Sequence, residues 1–151
     1  MILLPALLLA VASAVPDGEV ARAVVRVEAS VVATRRDLHA HPELSNREER
    51  TGALVRDRLR ALGLEVRYPV ARTGVVGILR GARPGPAIAL RADLDALPID
   101  EHVDVPYKSQ SAGIMHACGH DAHTAILLGA AEVLVGLKAR LSGTILSLIH
   151  I

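Results

Sequence analysis

Three short, apolar, β-branched runs alternate with stretches of helical spacing, and this alternation leaves few folds open to the chain. The runs are 74–79 (GVVGIL), 87–90 (AIAL) and 144–149 (TILSLI). Each reads as a strand, and the unbroken AIAL run predicts one buried on both faces. Ahead of them, Val20, Val24, Val27, Val31 and Leu38 recur at helical spacing, which predicts a helix over 17–40 that Pro42 stops. Ser45 and Glu48 then read as an S-x-x-E capping box with Ser45 as N-cap. The helix this box opens carries Leu54, Val55, Leu59 and Leu62 on one face, and Gly63 closes it at the C′ position. Residues 80–86 (RGARPGP) fit a hairpin or tight connection, and the polar stretch 98–115 reads as a loop. A last helix is predicted over 122–141 with Ile126, Ala130, Leu134, Leu137 and Leu141 as its stripe. Its first half is apolar nearly all round, which implies deep burial. The order helix, helix, strand, strand, loop, helix, strand defines an α/β layered domain with a mixed or mostly parallel sheet and flanking helices.

Composition narrows the function. The 17 Lys and Arg residues against 16 Asp and Glu leave a net charge of +1, and there are two Tyr but no Phe or Trp. Such a chain has neither the basic surface nor the rings for nucleic-acid binding. A single cysteine among 151 residues excludes an internal disulfide. Residues 1–14 (MILLPALLLAVASA) carry no charged side chain and end in an A-x-A pattern, so they read as a secretory signal peptide directing export. Their apolar run is too short for a stable membrane anchor, which takes about 20 residues. At the other end, 146–151 (LSLIHI) resembles the translation of a transposon-end adapter used in sequencing libraries, and is expected to be read-through.

The densest chemistry lies in 115–123, MHACGHDAH, which holds one thiol, three imidazoles and one carboxylate just before a helix. In an extended backbone Cys118 and His120 point the same way, so a thiolate and an imidazole can face one ion. Gly119 between them adds no side chain and lets the backbone bend. Sulfur and nitrogen donors suit zinc and other borderline transition metals rather than calcium or magnesium. An odd cysteine in an exported protein is an oxidation hazard that metal ligation would remove. Asp93 and Asp95 stand at i and i+2 at the C-terminal end of the AIAL strand, where sites form in open α/β sheets. They can orient or tune a ligand, or simply hydrogen-bond the strand end, Arg91 included.

Four strings in this order resemble the metallopeptidase group of aminoacylases, hippurate hydrolases and auxin-conjugate (IAA-amino acid) amidohydrolases. They are LHAHPELSNREERT (38–51), TGVVGILRG (73–81), ALRADLDALPIDE (89–101) and GIMHACGHDAHTAILLGAA (113–131). The resemblance implies a two-metal, zinc-peptidase-like catalytic domain and a smaller inserted domain that pairs subunits into a homodimer. It implies that Cys118 and His120 ligate two divalent ions, zinc or manganese, with Asp95 and Asp93 in support. His41 falls in the LHxHPE string without an assigned chemical role. The family's strand after Gly143-Thr144-Ile145 leads to a QPAEE-like segment that supplies the general-base Glu and another ligand. Here that Glu is expected beyond Ile151. The domain reading is therefore 1–14 signal peptide, 15–145 the N-terminal part of a catalytic domain, and 146–151 read-through.

The implied reaction is hydrolysis of the amide bond of N-acyl amino acids or similar peptide-like conjugates. Metal-bound water would be the nucleophile and a carboxylate the base. Three protein ligands are usual for one catalytic zinc, so the chain with two is expected to be inactive by itself. One rival is a thiol hydrolase with Cys118 as nucleophile and His116, His120 or His123 as base. The other is a non-catalytic metal-binding module of an exported protein.

Overall fold

The computed structural model describes residues 16–149, so the 1–14 segment read as a signal peptide lies outside the described residues, as do the last two residues. Helix α1 spans Asp17–Ala40 and helix α2 Glu49–Ala61. Strands β1 (Glu65–Val70), β2 (Gly74–Arg80) and β3 (Arg83–Ala92) follow. After the loop come α3 (His120–Gly136), a short 3-10 turn at Lys138–Arg140, and β4 (Ser142–Ile149). The four strands form one sheet in the order β1-β2-β4-β3. β1 with β2 and β2 with β4 are antiparallel, whereas β3 and β4 are parallel. The sheet is thus mixed, as one alternative held, and not mostly parallel. The parallel pair is joined by a crossover through α3, the connection such a pair requires.

The core forms between one face of the sheet and helices α2 and α3. Val55 and Leu59 of α2, Leu127, Leu128 and Ala131 of α3, and Val75, Leu79, Ala92 and Ile149 of the sheet make one buried cluster. Register builds it: Val75 and Ala92 both pair with Ile149, from opposite sides of β4. α1 packs on α3 through Ala23, Val27, Val133 and Leu137. Among the described residues no helix is long and apolar enough to cross a membrane.

Several expectations are corrected. Residues 80–86 form no hairpin, because β4 inserts between β2 and β3. Among the described residues the AIAL run is not buried on both faces: β3 lies at the edge of the sheet, exposed over most of its length, with Ile88 58% exposed. An apolar run reports affinity for a core, but only topology decides whether a neighbour covers it. Strand β1 was not among the predicted strands, although Val66, Tyr68 and Val70 alternate with the exposed Glu65, Arg67 and Pro69; as the other edge strand it tolerates charge and a proline. The last helix starts at His120 and ends at Gly136. Its buried side runs through Thr124, Ala125, Leu127, Leu128 and Ala131, while Ile126 is 59% exposed. Val20 and Val24 of α1 are likewise exposed, since α3 covers only one side of that helix.

The capping box does not form either. The N-cap of α2 is Glu48, whose own side chain makes no cap bond; the Glu43 carboxylate instead accepts from the first-turn amides of Arg50 at 3.0 Å and Thr51 at 2.8 Å. Ser45 Oγ instead donates to Asp95 Oδ2 at 2.7 Å. Glu48 is fully buried and accepts from the Asn46 amide at 3.0 Å and from Thr73 Oγ1 at 2.7 Å. The other end of α2 follows expectation. Gly63 takes φ +80°, its amide donates to the Arg60 carbonyl, and the Leu64 amide donates to that of Leu59. This is the Schellman pattern. Residues 146–149, part of the stretch read as adapter, complete central strand β4, where Leu146 pairs with both Ile78 and Ala89.

Candidate metal centre

Strand β3 ends at Ala92 and delivers Asp93–Asp95 to the start of α3. Two short bridges hold this junction, Leu44 with Ala96 and Leu97 with Met115. Gly119, at φ +83°, is the N-cap of α3 and turns the chain so that His120 becomes the first helical residue. That left-handed bend replaces the extended Cys118-Gly119-His120 run predicted from spacing. Only glycine enters this conformation at little cost, so the bend and the glycine go together.

His120 Nδ1 donates to the Asp95 carbonyl at 3.0 Å and to Asp95 Oδ1 at 2.9 Å. Both partners are acceptors, so Nδ1 carries the hydrogen, and in the neutral ring the lone pair is then on Nε2. A carboxylate behind a histidine in this way fixes the tautomer that binds metal. Ser45 holds the other oxygen of Asp95, so the carboxylate is itself oriented. Asp93 has another task. Its Oδ1 receives Arg91 at 2.6 Å and its carbonyl receives Thr124 Oγ1 at 3.0 Å, which stitches β3 to α3. Cys118 is exposed one residue before the N-cap, and the His123 ring lies 5.8 Å from that of His120. His41 Nδ1 contacts the Asp37 carbonyl on the same helix at 2.8 Å, with no link to the centre.

The donor set fits a borderline transition metal: a metal-competent imidazole nitrogen and an exposed thiol two residues apart. It is also short of complete. Among the described residues no three His, Cys, Asp or Glu side chains come together as a metal site. His116 is not a third ligand of this kind. It is 4% exposed, and neither ring nitrogen bonds another residue. Burial holds its imidazole below the ordinary value of 6.5; His39 and His120 push the same way, while Asp121 and Asp95 oppose. Nor does the thiol reading find its geometry, since among the described residues Cys118 has no hydrogen bond to His116, His120 or His123.

A second cluster escaped the sequence reading. His39, 4% exposed, places Nδ1 2.7 Å from Asp121 Oδ2 and Nε2 3.1 Å from Glu101 Oε1. Arg35 Nε joins Asp121 Oδ2 at 2.9 Å. Burial raises the Glu101 carboxyl, but the Ser109 amide, the His39 hydrogen bond and the charges of His39 and Lys108 outweigh it and leave it below its ordinary value. Both His39 and Asp121 stand in the strings singled out above. No spacing rule joins them, because they meet across 82 residues of chain.

The centre thus combines a mixed sheet with a carboxylate-backed histidine and an exposed thiol at the start of a crossover helix. Residues 89–150 match Peptidase family M20/M25/M40. It is 50% identical over 120 residues to thermostable carboxypeptidase 1 of Saccharolobus solfataricus, covering 79% of this chain and 30% of that protein. With the N-acyl-L-amino acid amidohydrolase of Geobacillus stearothermophilus it shares 47% identity over 128 residues, 84% of this chain and 34% of the other. The crystal structure of the YXEP protein of Bacillus subtilis, a dinuclear metal binding peptidase of the M20 family, superposes with a TM-score of 0.79 at 42% identity, covering 83% of this chain and 35% of that one. The chain therefore spans about a third of the length of these relatives.

Proposed function

We propose that the protein hydrolyses the amide bond of N-acyl amino acids or similar conjugates, using two divalent metal ions, zinc or manganese. The observation that carries this reading is the Asp95–His120 pair beside Cys118 at the start of α3. The name of the Geobacillus relative supports the substrate class, and that of the Bacillus structure supports a two-metal centre. Bound metal would supply Lewis acidity and a water of lowered pKa. Of the chain's own residues, Cys118 and His120 would hold metal, Asp95 would keep His120 in its binding tautomer, and Ser45 would keep Asp95 in place. In this reading the remaining ligands and the general base come from the part of the relatives' length that the chain does not span. Export through residues 1–14 and subunit pairing belong to the same proposal; they rest on the apolar A-x-A leader and on the resemblance.

The test is hydrolysis of an N-acetyl amino acid series by the full-length gene product, before and after chelation. Loss of activity on chelation and return with zinc or manganese is the expected result. Activity that survives chelation and is abolished by a thiol-blocking reagent would replace this reading with a thiol hydrolase. No hydrolysis of any amide, with metal still bound, would favour a binding module.

A further inference from the structure

We propose that His39 is a positioning residue that holds segment 116–123, and with it Cys118 and His120, in the one arrangement metal binding uses. The proposal rests on the metal-centre reading above. Two carboxylate oxygens flank the buried ring, Asp121 Oδ2 at Nδ1, which Arg35 Nη2 also approaches at 3.2 Å, and Glu101 Oε1 at Nε2. Each bond ties down a different segment. Asp121 immediately follows His120 in the first turn of α3, a turn whose N-cap Gly119 offers no side chain to fix it. Glu101 opens the long loop, and its second oxygen accepts the Ser109 amide at 2.6 Å. The next residue, Gln110, donates its amide to the Ala40 carbonyl at 2.9 Å, which brings the loop back to the end of α1. One side chain on α1 thus spans the loop that leads into the metal segment and the helix that leaves it.

Charge and packing make the arrangement specific. Arg35 and His39 face Glu101 and Asp121, a guanidinium and an imidazole against two carboxylates, with Asp121 1% and Glu101 9% exposed. Tyr107 from the loop sets its ring edge-on to His39 at 5.7 Å and lies under Arg35 at 5.0 Å and Arg36 at 5.2 Å. Without the imidazole, two buried carboxylates would share one space with a single guanidinium, and the loop and helix start would separate to admit water.

The experiment is amide hydrogen exchange on the full-length gene product, parent against His39→Gln, followed by cobalt(II) titration of both. The amide of glutamine reaches one carboxylate, not two. Exchange at Ser109, Gln110, Ala122 and His123 should accelerate about tenfold or more, while residues 75–79 of β2 keep their rates. Cobalt affinity, read from the sulfur-to-metal band, should fall about tenfold. Unchanged local exchange, or equal acceleration in β2, would overturn the proposal, and so would cobalt affinity equal to the parent's. Should His39→Gln not fold, Glu101→Gln decides. Its single acceptor oxygen must give up either His39 or Ser109, so exchange must rise at Ser109 and Gln110 if the clamp is real, and parental rates there would refute it. If the parent shows no cobalt band, the metal-centre reading fails, and the exchange result alone rules on the positioning role.

Discussion

His120 Nδ1 lies 2.9 Å from Asp95 Oδ1, a bond between residues 25 apart in sequence that joins the end of a strand to the start of a helix. It separates two aspartates that look equivalent in the sequence. Asp95 faces the candidate ligand, with 13% of its side chain exposed, whereas Asp93 turns to Arg91. An Asp95→Asn variant retains one acceptor oxygen for two donors, Ser45 and His120. Metal affinity of the variant should fall about 10–100-fold, the usual effect of losing such a partner. Asp93→Asn should stay within about threefold of the parent by the same argument. Isothermal titration with zinc checks both.

Cys118 is the sulfur donor of the proposed centre, and a hydroxyl is a poor substitute for a thiolate toward a borderline-soft ion. With cobalt(II), the full-length parent protein should show a sulfur-to-metal charge-transfer band that Cys118→Ser lacks. Persistence of the band in the variant would remove Cys118 from the ligand set.

Thr73 Oγ1 donates to the fully buried Glu48 at 2.7 Å. Thr73→Val keeps the shape and leaves that carboxylate oxygen without its donor. The expected cost is about 1–3 kcal/mol, more than a surface change would give. Urea unfolding of the two proteins measures it; a difference within error would mean that Glu48 finds another partner.

Gly52 is where α2 comes closest to the turn before β2. A Cβ there would lie 2.5 Å from the Thr73 carbonyl oxygen, a backbone atom that cannot swing away. Gly52→Ala should therefore destabilise by about 1–3 kcal/mol despite alanine's better helix propensity. Thermal unfolding with an unchanged or raised midpoint would show that α2 can shift without cost.

Glu101 sets an acid dependence. Its folded pKa lies below the ordinary value of 4.5, so between the two values the unfolded chain binds the proton that the native state refuses. Its contribution to stability is complete above 4.5 and is lost as pH falls through the folded value. The stability gap between the parent and Glu101→Gln should therefore be constant near neutrality and shrink through the acid range. Denaturation curves taken from about pH 7 down to about pH 3 read this directly, and parallel curves would contradict it.

By itself the sequence determined the pieces with a local cause. Helix α1 carries its own valine period and stops before Pro42, α2 ends where Gly63 can take a positive φ, and β2 and β4 follow from β-branched runs. The segment proposed to hold metal stands out as well, because a thiol and three imidazoles seldom crowd into nine residues without chemical cause. Tertiary structure alone decided what meets across the chain. Ser45 was written for a helix cap yet serves Asp95, since the bend at Asn46, with φ 63°, carries it away from α2. Among the described residues the AIAL run lies at the sheet edge, since β4 crosses over and takes the place beside β2. His39 between Glu101 and Asp121 could not be foreseen from pattern, for no periodicity encodes a contact between three separate segments. Such a contact exists only once the loop has closed over α1 and water has been excluded, which is also when its charges acquire their full worth.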